Sequence, residues 1–83
     1  MEIKVLGPGC KNCVTLDRIA REVTAEMGLT ASFEKVEDYA AIAAYGVMST
    51  PALVLDGKVL FSGRVPTPAH LKEIIGLELG AKQ

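Results

Sequence analysis

The chain has 83 residues, which is enough for one domain and too few for two, so we expect residues 1–83 to form a single domain. Nine basic and ten acidic residues give a formal net charge of -1 without a lysine or arginine run, so a nucleic-acid partner is not expected. The N-terminus lacks the pattern of a secretory signal, and no apolar stretch reaches the roughly 20 residues that cross a bilayer. We therefore expect a cytoplasmic protein with no membrane partner.

The chain begins with a pattern that predicts a strand followed by a long helix. A short apolar run that includes Ile3 ends at Gly7-Pro8-Gly9, as a strand does when it enters a tight loop. Residues 11–27 then carry apolar side chains at a spacing of three and four, which is typical of one buried helix face. Gly28 suits the position at which such a helix ends.

A second strand and a short helix follow. Polar and apolar residues alternate from Thr30 to Val36, which predicts a strand with one wet face. Residues 39–45 predict a short helix, and the negative charges of Glu37 and Asp38 at its start interact favourably with the helix dipole.

The last third of the chain predicts a hairpin and a final helix. Ala52 to Leu55 reads as a buried strand, Asp56-Gly57 is a strong hairpin signal, and Lys58 to Ser62 is the returning strand. Thr67-Pro68 predicts a capped helix start. The helix between the first two strands makes them parallel and the hairpin adds an antiparallel pair, so the sequence predicts an α/β fold with a mixed sheet.

Two cysteines lie at the turn from the first strand to the first helix, in the motif Cys10-Lys11-Asn12-Cys13. A thiol is a good nucleophile once it loses its proton, and the first turn of a helix, here with Lys11 beside it, stabilises the thiolate. Cys10 has this environment, whereas Cys13 lies one turn further on and leans towards the core. The motif therefore predicts that Cys10 attacks a disulfide and that Cys13 resolves the mixed disulfide.

Other functions of the cysteine pair stay open at this point. The pair is also compatible with a soft-metal module, in which it forms half of a zinc or copper site. His70 is the one histidine and lies far along the chain, so we expect no bound metal and no cofactor. An inert buried pair and a thiol sensor of oxidation are further alternatives.

The second chemical signal is Ser49-Thr50-Pro51, directly before the predicted buried strand. A proline at this place most often opens a strand through an ordinary trans bond. Together with the cysteine motif at the head of a helix, it predicts a cis Thr50–Pro51 bond that faces the cysteines.

These motifs resemble those of the thioredoxin/glutaredoxin superfamily, in particular its small thioredoxin-like redox-active disulfide proteins. The matching segments are residues 7–13 and 46–63, and the order of elements extends the resemblance over nearly the whole chain. The resemblance implies a thioredoxin-like β-α-β-α-β-β-α fold with a four-stranded mixed sheet flanked by helices. It also implies a substrate peptide bound at Thr50 and Pro51, with Gly9 and Lys11 supporting the cysteines.

The resemblance further implies that the protein is a protein-disulfide oxidoreductase. Such a protein is a redox carrier that exchanges disulfides with protein substrates and is reduced by a separate reductase. Lys11-Asn12 replaces the Gly-Pro pair of typical thioredoxins, and the aromatic residue of typical glutaredoxin sites is missing. We expect the carrier to act as a monomer.

Overall fold

The computed structural model describes residues 1–9 and 11–81, so Cys10 lies outside the described residues. The elements follow the predicted order. They are β1 (Glu2–Leu6), α1 (Lys11–Glu26), β2 (Ser32–Val36), α2 (Tyr39–Ala44), β3 (Ala52–Leu55), β4 (Lys58–Ser62) and α3 (Pro68–Ala81). The predicted α/β class is therefore confirmed.

The four strands form one mixed sheet in the order β2-β1-β3-β4. β1 is parallel to β2 and antiparallel to β3, and β3 is antiparallel to β4. Leu6, the last residue of β1, pairs with Ala52, the first residue of β3. The loop that leaves β1 and the loop that enters β3 therefore meet at the same end of the sheet.

The larger hydrophobic core lies between the sheet and helices α1 and α3. It is built from residues of both helices and of strands β1, β3 and β4: Ile3, Val5, Leu16, Ile19, Ala20, Val23, Leu53, Leu55, Phe61, Leu71 and Ile75. Full burial of a Leu, Ile or Val side chain contributes about 1.5–3 kcal/mol relative to an exposed one, so this core holds α1 firmly against the sheet.

The other face of the sheet carries a smaller core under the short helix α2. Its buried members are Leu6, Ile42, Val47, Ala52 and Val54. No helix in the described part of the chain is long and apolar enough to cross a membrane.

The ends of the helices follow the capping signals in the sequence. The carboxylate of Asp38 accepts a hydrogen bond of 3.0 Å from the backbone N–H of Ala41 at the start of α2. The hydroxyl of Thr67 accepts one of 3.2 Å from the N–H of His70 at the start of α3. Gly28, at φ 70°, follows the end of α1, as predicted.

A lysine on the α2 face of the sheet makes several polar contacts. Lys4 Nζ donates a hydrogen bond of 3.2 Å to the Tyr45 hydroxyl and lies 3.6 Å from a carboxylate oxygen of Glu2 and 4.0 Å from one of Glu34. The hydrogen bond with Tyr45 raises the pKa of Lys4 above its ordinary value of 10.5, and the two carboxylates act in the same direction.

This contact predicts a stability change in Tyr45→Phe. Loss of the hydrogen bond lowers the urea midpoint of unfolding at neutral pH. Because a raised lysine pKa stabilises the fold below 10.5 and the effect is lost as the pH rises through the raised value, the difference from wild type shrinks in strong alkali. Tyr39→Phe is the matched control, since Tyr39 is 72% exposed. Equal losses in both variants would contradict a specific role for the Tyr45 hydroxyl.

Candidate functional site

The buried sulfur of Cys13 packs directly on the backbone of Gly7. A Cβ placed on residue 7 would overlap the Cys13 Sγ and would lie 3.7 Å from the Cβ of Thr50. Three segments therefore converge here: the loop after β1, the first turn of α1 and the loop before β3. This proximity of Cys13 to the Thr50–Pro51 loop is the one that the sequence predicted.

Cys13 lies on the core-facing side of α1, in line with the prediction. It is 5% exposed, and its sulfur is disulfide-bonded. A sulfur this deeply buried is poorly accessible to an external molecule. Lys11, at the start of the same helix, is exposed to solvent.

The Thr50–Pro51 peptide bond is cis, which confirms the prediction. Pro51 is buried, and its carbonyl oxygen accepts a hydrogen bond of 2.8 Å from the N–H of Gly63, just after β4. The loop before β3 is thus hydrogen-bonded to the residue that directly follows β4. Met48, immediately before this loop, is 98% exposed.

Glu37 directly precedes Asp38, the N-cap residue of α2, and its carboxylate also lies close to the loop after β1. A Cβ on Gly9 would come 3.0 Å from Glu37 Oε2. Gly9 has a φ of 84°, a left-handed conformation that favours glycine. Two features of Gly9, its positive φ and its missing side chain, therefore make room for this carboxylate.

A cleft of about 200 Å³ opens beside Cys13, and we name it the Cys13 cleft. Its lining residues come from β1, the following loop, α1 and the end of β2: Val5, Gly7, Gly9, Cys13, Val14, Lys35 and Glu37. Sequence reasoning missed the two charged residues in this set. The signal that points to them is the parallel pairing of β1 and β2, in which Lys35 lies opposite Val5.

The polar residues outside the cleft do not assemble into a metal site within residues 1–9 and 11–81. No three histidine, cysteine, aspartate or glutamate side chains of this part come together in an arrangement that could hold a metal ion. His70 lies exposed in the first turn of α3.

The fold and the site have counterparts among known proteins. The structure of thioredoxin 1 from the thermophilic eubacterium Thermosipho africanus TCF52B superposes with a TM-score of 0.65, over 99% of this chain and 98% of that one. The two sequences are 15% identical, so this likeness establishes the fold alone. The molecule has a thioredoxin fold, as the sequence predicted.

Sequence relatives establish the family. The family model of the thioredoxin domain matches residues 1–76. A thioredoxin of Methanothermobacter thermautotrophicus is 37% identical over 75 residues, which cover 90% of this chain and 97% of the relative. A thioredoxin of Methanocaldococcus jannaschii is 31% identical over 71 residues, covering 86% and 81%. The chain belongs to the thioredoxin family and is a thiol–disulfide oxidoreductase.

The contact between Gly7 and Cys13 predicts a large effect of one added methyl group. Gly7→Ala forces the Cys13 sulfur or the helix to move, and overpacking of this kind costs about 1–3 kcal/mol of unfolding free energy. Urea denaturation of the oxidised protein measures this loss.

Gly76→Ala is the control for this substitution. Gly76 lies within α3 with open space around its Cα, so alanine there leaves stability unchanged or raises it by up to about 1 kcal/mol. A Gly7→Ala protein as stable as wild type would show that the sulfur is not confined.

Proposed function

We propose that the chain is a redox carrier that exchanges disulfides with protein partners through Cys10 and Cys13. The observation that carries this proposal is the position of the Cys13 sulfur, which is disulfide-bonded, buried against Gly7 and next to Thr50. A sulfur buried in this way can react far more readily with a neighbouring thiol of its own chain than with a thiol of another molecule. Membership of the thioredoxin family supports the same chemistry.

The proposed exchange proceeds in two steps that balance in atoms and electrons. The thiolate of Cys10 attacks one sulfur of the partner's disulfide, a mixed disulfide forms, and the partner's other sulfur leaves as a thiolate. The thiolate of Cys13 then attacks the sulfur of Cys10, and the partner's second sulfur leaves. The partner gains two electrons and takes up two protons, and the two cysteines become a disulfide.

The geometry of α1 supports this division of roles. The helix begins at Lys11, and its first turn contains no acidic residue that would offset the positive end of the helix dipole. A thiolate at residue 10 would therefore be stabilised by this end and by the charge of Lys11, with Gly9 allowing the turn. Cys13 suits the resolving role, because at 5% exposure it needs no contact with the partner.

The surface around the site supports a peptide as the partner's reacting segment. Thr50 is partly exposed next to buried Pro51, and its backbone would pair with an extended peptide by strand addition. Met48, 98% exposed, and Val14, 54% exposed, give an adaptable apolar rim for differing side chains.

The proposal also covers the oligomeric state, the location and the electron donor of the carrier. We infer a monomer that works in the cytoplasm, where protein disulfides are mostly transient and catalytic, and that is returned to its reduced state by a separate reductase. Each reaction with a partner leaves the carrier oxidised, so the carrier needs such an electron donor.

The first experiment traps the mixed disulfide. Cys13→Ser removes the resolving thiol, so the reduced variant incubated with a disulfide protein such as insulin forms a covalent adduct that dithiothreitol releases. Mass spectrometry locates the link on Cys10. Cys10→Ser is the control, and it forms no adduct because its remaining thiol is buried. An adduct on Cys13 in that control would reverse the assigned roles, and the absence of insulin reduction by wild type would contradict the function.

A second experiment compares the accessibility of the two thiols. Reduced wild-type protein is treated with a limiting amount of iodoacetamide near neutral pH, and peptide mass spectrometry measures the label on each cysteine. We expect Cys10 to react first, because a thiolate at a helix start is stabilised, whereas Cys13 is 5% exposed. Full denaturation before labelling serves as the control and should make the two rates similar. Earlier labelling of Cys13 in the folded protein would contradict the prediction.

A further inference from the structure

The basic side chains of the molecule divide into two groups according to their partners. Within residues 1–9 and 11–81, one group forms ion pairs with carboxylates: Lys4, Arg18, Arg21, Lys58 and Lys72. The other group makes no ion pair in this part of the chain and consists of Lys11, Lys35 and Arg64. All three of these lie around the site, at the start of α1, in the Cys13 cleft and just after β4.

Two of the three unpaired cations are accounted for by their neighbours. Lys11 lies beside Cys10 in the sequence, and in the proposed function its charge stabilises the attacking thiolate. Lys35 lines the Cys13 cleft together with Glu37, a group of opposite charge. Arg64 is outside the cleft and has no such neighbour, so it is the cation that the exchange mechanism leaves without a role.

Arg64 lies beside the loop that we propose to bind the partner's peptide. The residue before it, Gly63, donates a backbone hydrogen bond of 2.8 Å to the carbonyl oxygen of Pro51. A Cβ on Gly63 would come 3.0 Å from the Cβ of Ser49. The backbone that carries Arg64 is therefore held against both sides of Thr50, so a peptide paired with Thr50 lies within reach of a long side chain at residue 64.

The Arg64 side chain is exposed and rests on a fixed support. Its guanidinium carbon lies 5.7 Å from the centre of the Phe61 ring, a distance at which a cation is attracted to an aromatic face. Phe61 is 7% exposed and belongs to the larger core, so its ring is well anchored. An arginine supported in this way loses less conformational freedom on binding, and its planar guanidinium can contact a carboxylate through two parallel hydrogen bonds.

The acidic side chain of the site lies at the opposite edge of the sheet. Glu37 directly follows β2 and Arg64 comes shortly after β4, and these two strands are the edges of the sheet. Three strand spacings of about 4.8 Å separate the edges by roughly 14 Å. This distance exceeds the Debye length of about 8 Å at physiological ionic strength, so Glu37 offsets little of the positive field at Arg64.

We propose that Arg64 selects protein partners that carry an aspartate or glutamate beside the reacting disulfide, an inference that rests on the proposed function. The partner's peptide pairs with the backbone at Thr50, and its carboxylate accepts hydrogen bonds from the Arg64 guanidinium. Arg64 takes no part in the exchange of sulfurs and acts only on the choice of partner. A partner with a lysine or arginine at this place is disfavoured, because like charges then meet beside the loop.

The experiment compares the rates at which the reduced protein reduces three synthetic peptides. The peptides share one internal disulfide and differ only in the residues that flank its cysteines, which are glutamate, glutamine or lysine. Protein and peptide are mixed without a reductase, the reaction is quenched with acid, and chromatography gives the second-order rate constant. Each rate constant is divided by that of dithiothreitol with the same peptide, which corrects for the effect of the flanking charge on the disulfide itself.

We expect wild type at low salt to prefer the glutamate peptide over the glutamine peptide about threefold. This ratio corresponds to about 0.7 kcal/mol at about 1.4 kcal/mol per tenfold, which is the size of an exposed ion pair. Arg64→Gln brings the ratio close to one, Arg64→Lys keeps part of it, and Arg64→Glu makes the lysine peptide the preferred one. In 1 M salt, where the Debye length is about 3 Å, the wild-type ratio falls towards one.

Arg18→Gln is the matched control for Arg64→Gln. Arg18 is an exposed arginine about two turns beyond the start of α1, so the substitution removes the same charge at a distance from the loop. It should leave the ratio at the wild-type value, which separates a local contact from an effect of net charge. Thermal unfolding checks that each variant is folded.

Two outcomes would overturn the proposal while the proposed function stands. In the first, wild type reduces the three peptides at equal corrected rates. In the second, Arg18→Gln lowers the ratio as much as Arg64→Gln does, which would assign the preference to net charge. If wild type reduces none of the three peptides, the proposed function itself fails, and this inference with it.

Discussion

The contact between the sulfur of Cys13 and the backbone of Gly7 is the constraint on which the site depends. Because residue 7 has no side chain, the first turn of α1 can approach the end of β1 closely enough for the sulfur to occupy the space of a Cβ. The antiparallel pairing of Leu6 with Ala52 then brings the loop of Thr50 to the same place. The helix, the end of β1 and the loop before β3 therefore meet at one point.

The two faces of the sheet contribute unequally to the rigidity of that point. α1 and α3 cover the larger core, so the helix that carries Cys13 is anchored along its length by buried side chains such as Leu16 and Val23. The loop of Pro51 is anchored differently, by one backbone hydrogen bond from Gly63 and by the contact of Gly63 with the side chain of Ser49. A loop fixed at one end by a sheet and held from the side by a hairpin can present its backbone to a partner without having to be ordered on binding.

Most of the fold follows from local patterns, whereas part of the site depends on contacts between distant segments. The apolar spacing of α1 and the Asp56-Gly57 turn predicted their elements almost to the residue. β2 starts at Ser32 rather than Thr30, opposite Glu2, which is the first residue of its parallel partner β1. The sequence predicts only that the charge of Glu37 lies at a helix start, because sequence patterns report neighbours along the chain. Its contact with Gly9 arises from strand pairing and a positive φ, which no local pattern encodes.

The two sulfurs of the proposed exchange need different electrostatic environments, and the burial of Cys13 is the part of this difference that the structure describes. An attacking sulfur works best as a standing thiolate, which a helix start and Lys11 favour. A second standing thiolate close to the first would be disfavoured by like-charge repulsion, so the resolving sulfur is better kept protonated until the mixed disulfide has neutralised its neighbour. Burial disfavours a charged thiolate, and Cys13 is 5% exposed, so its position suits a sulfur that stays protonated until the mixed disulfide has formed.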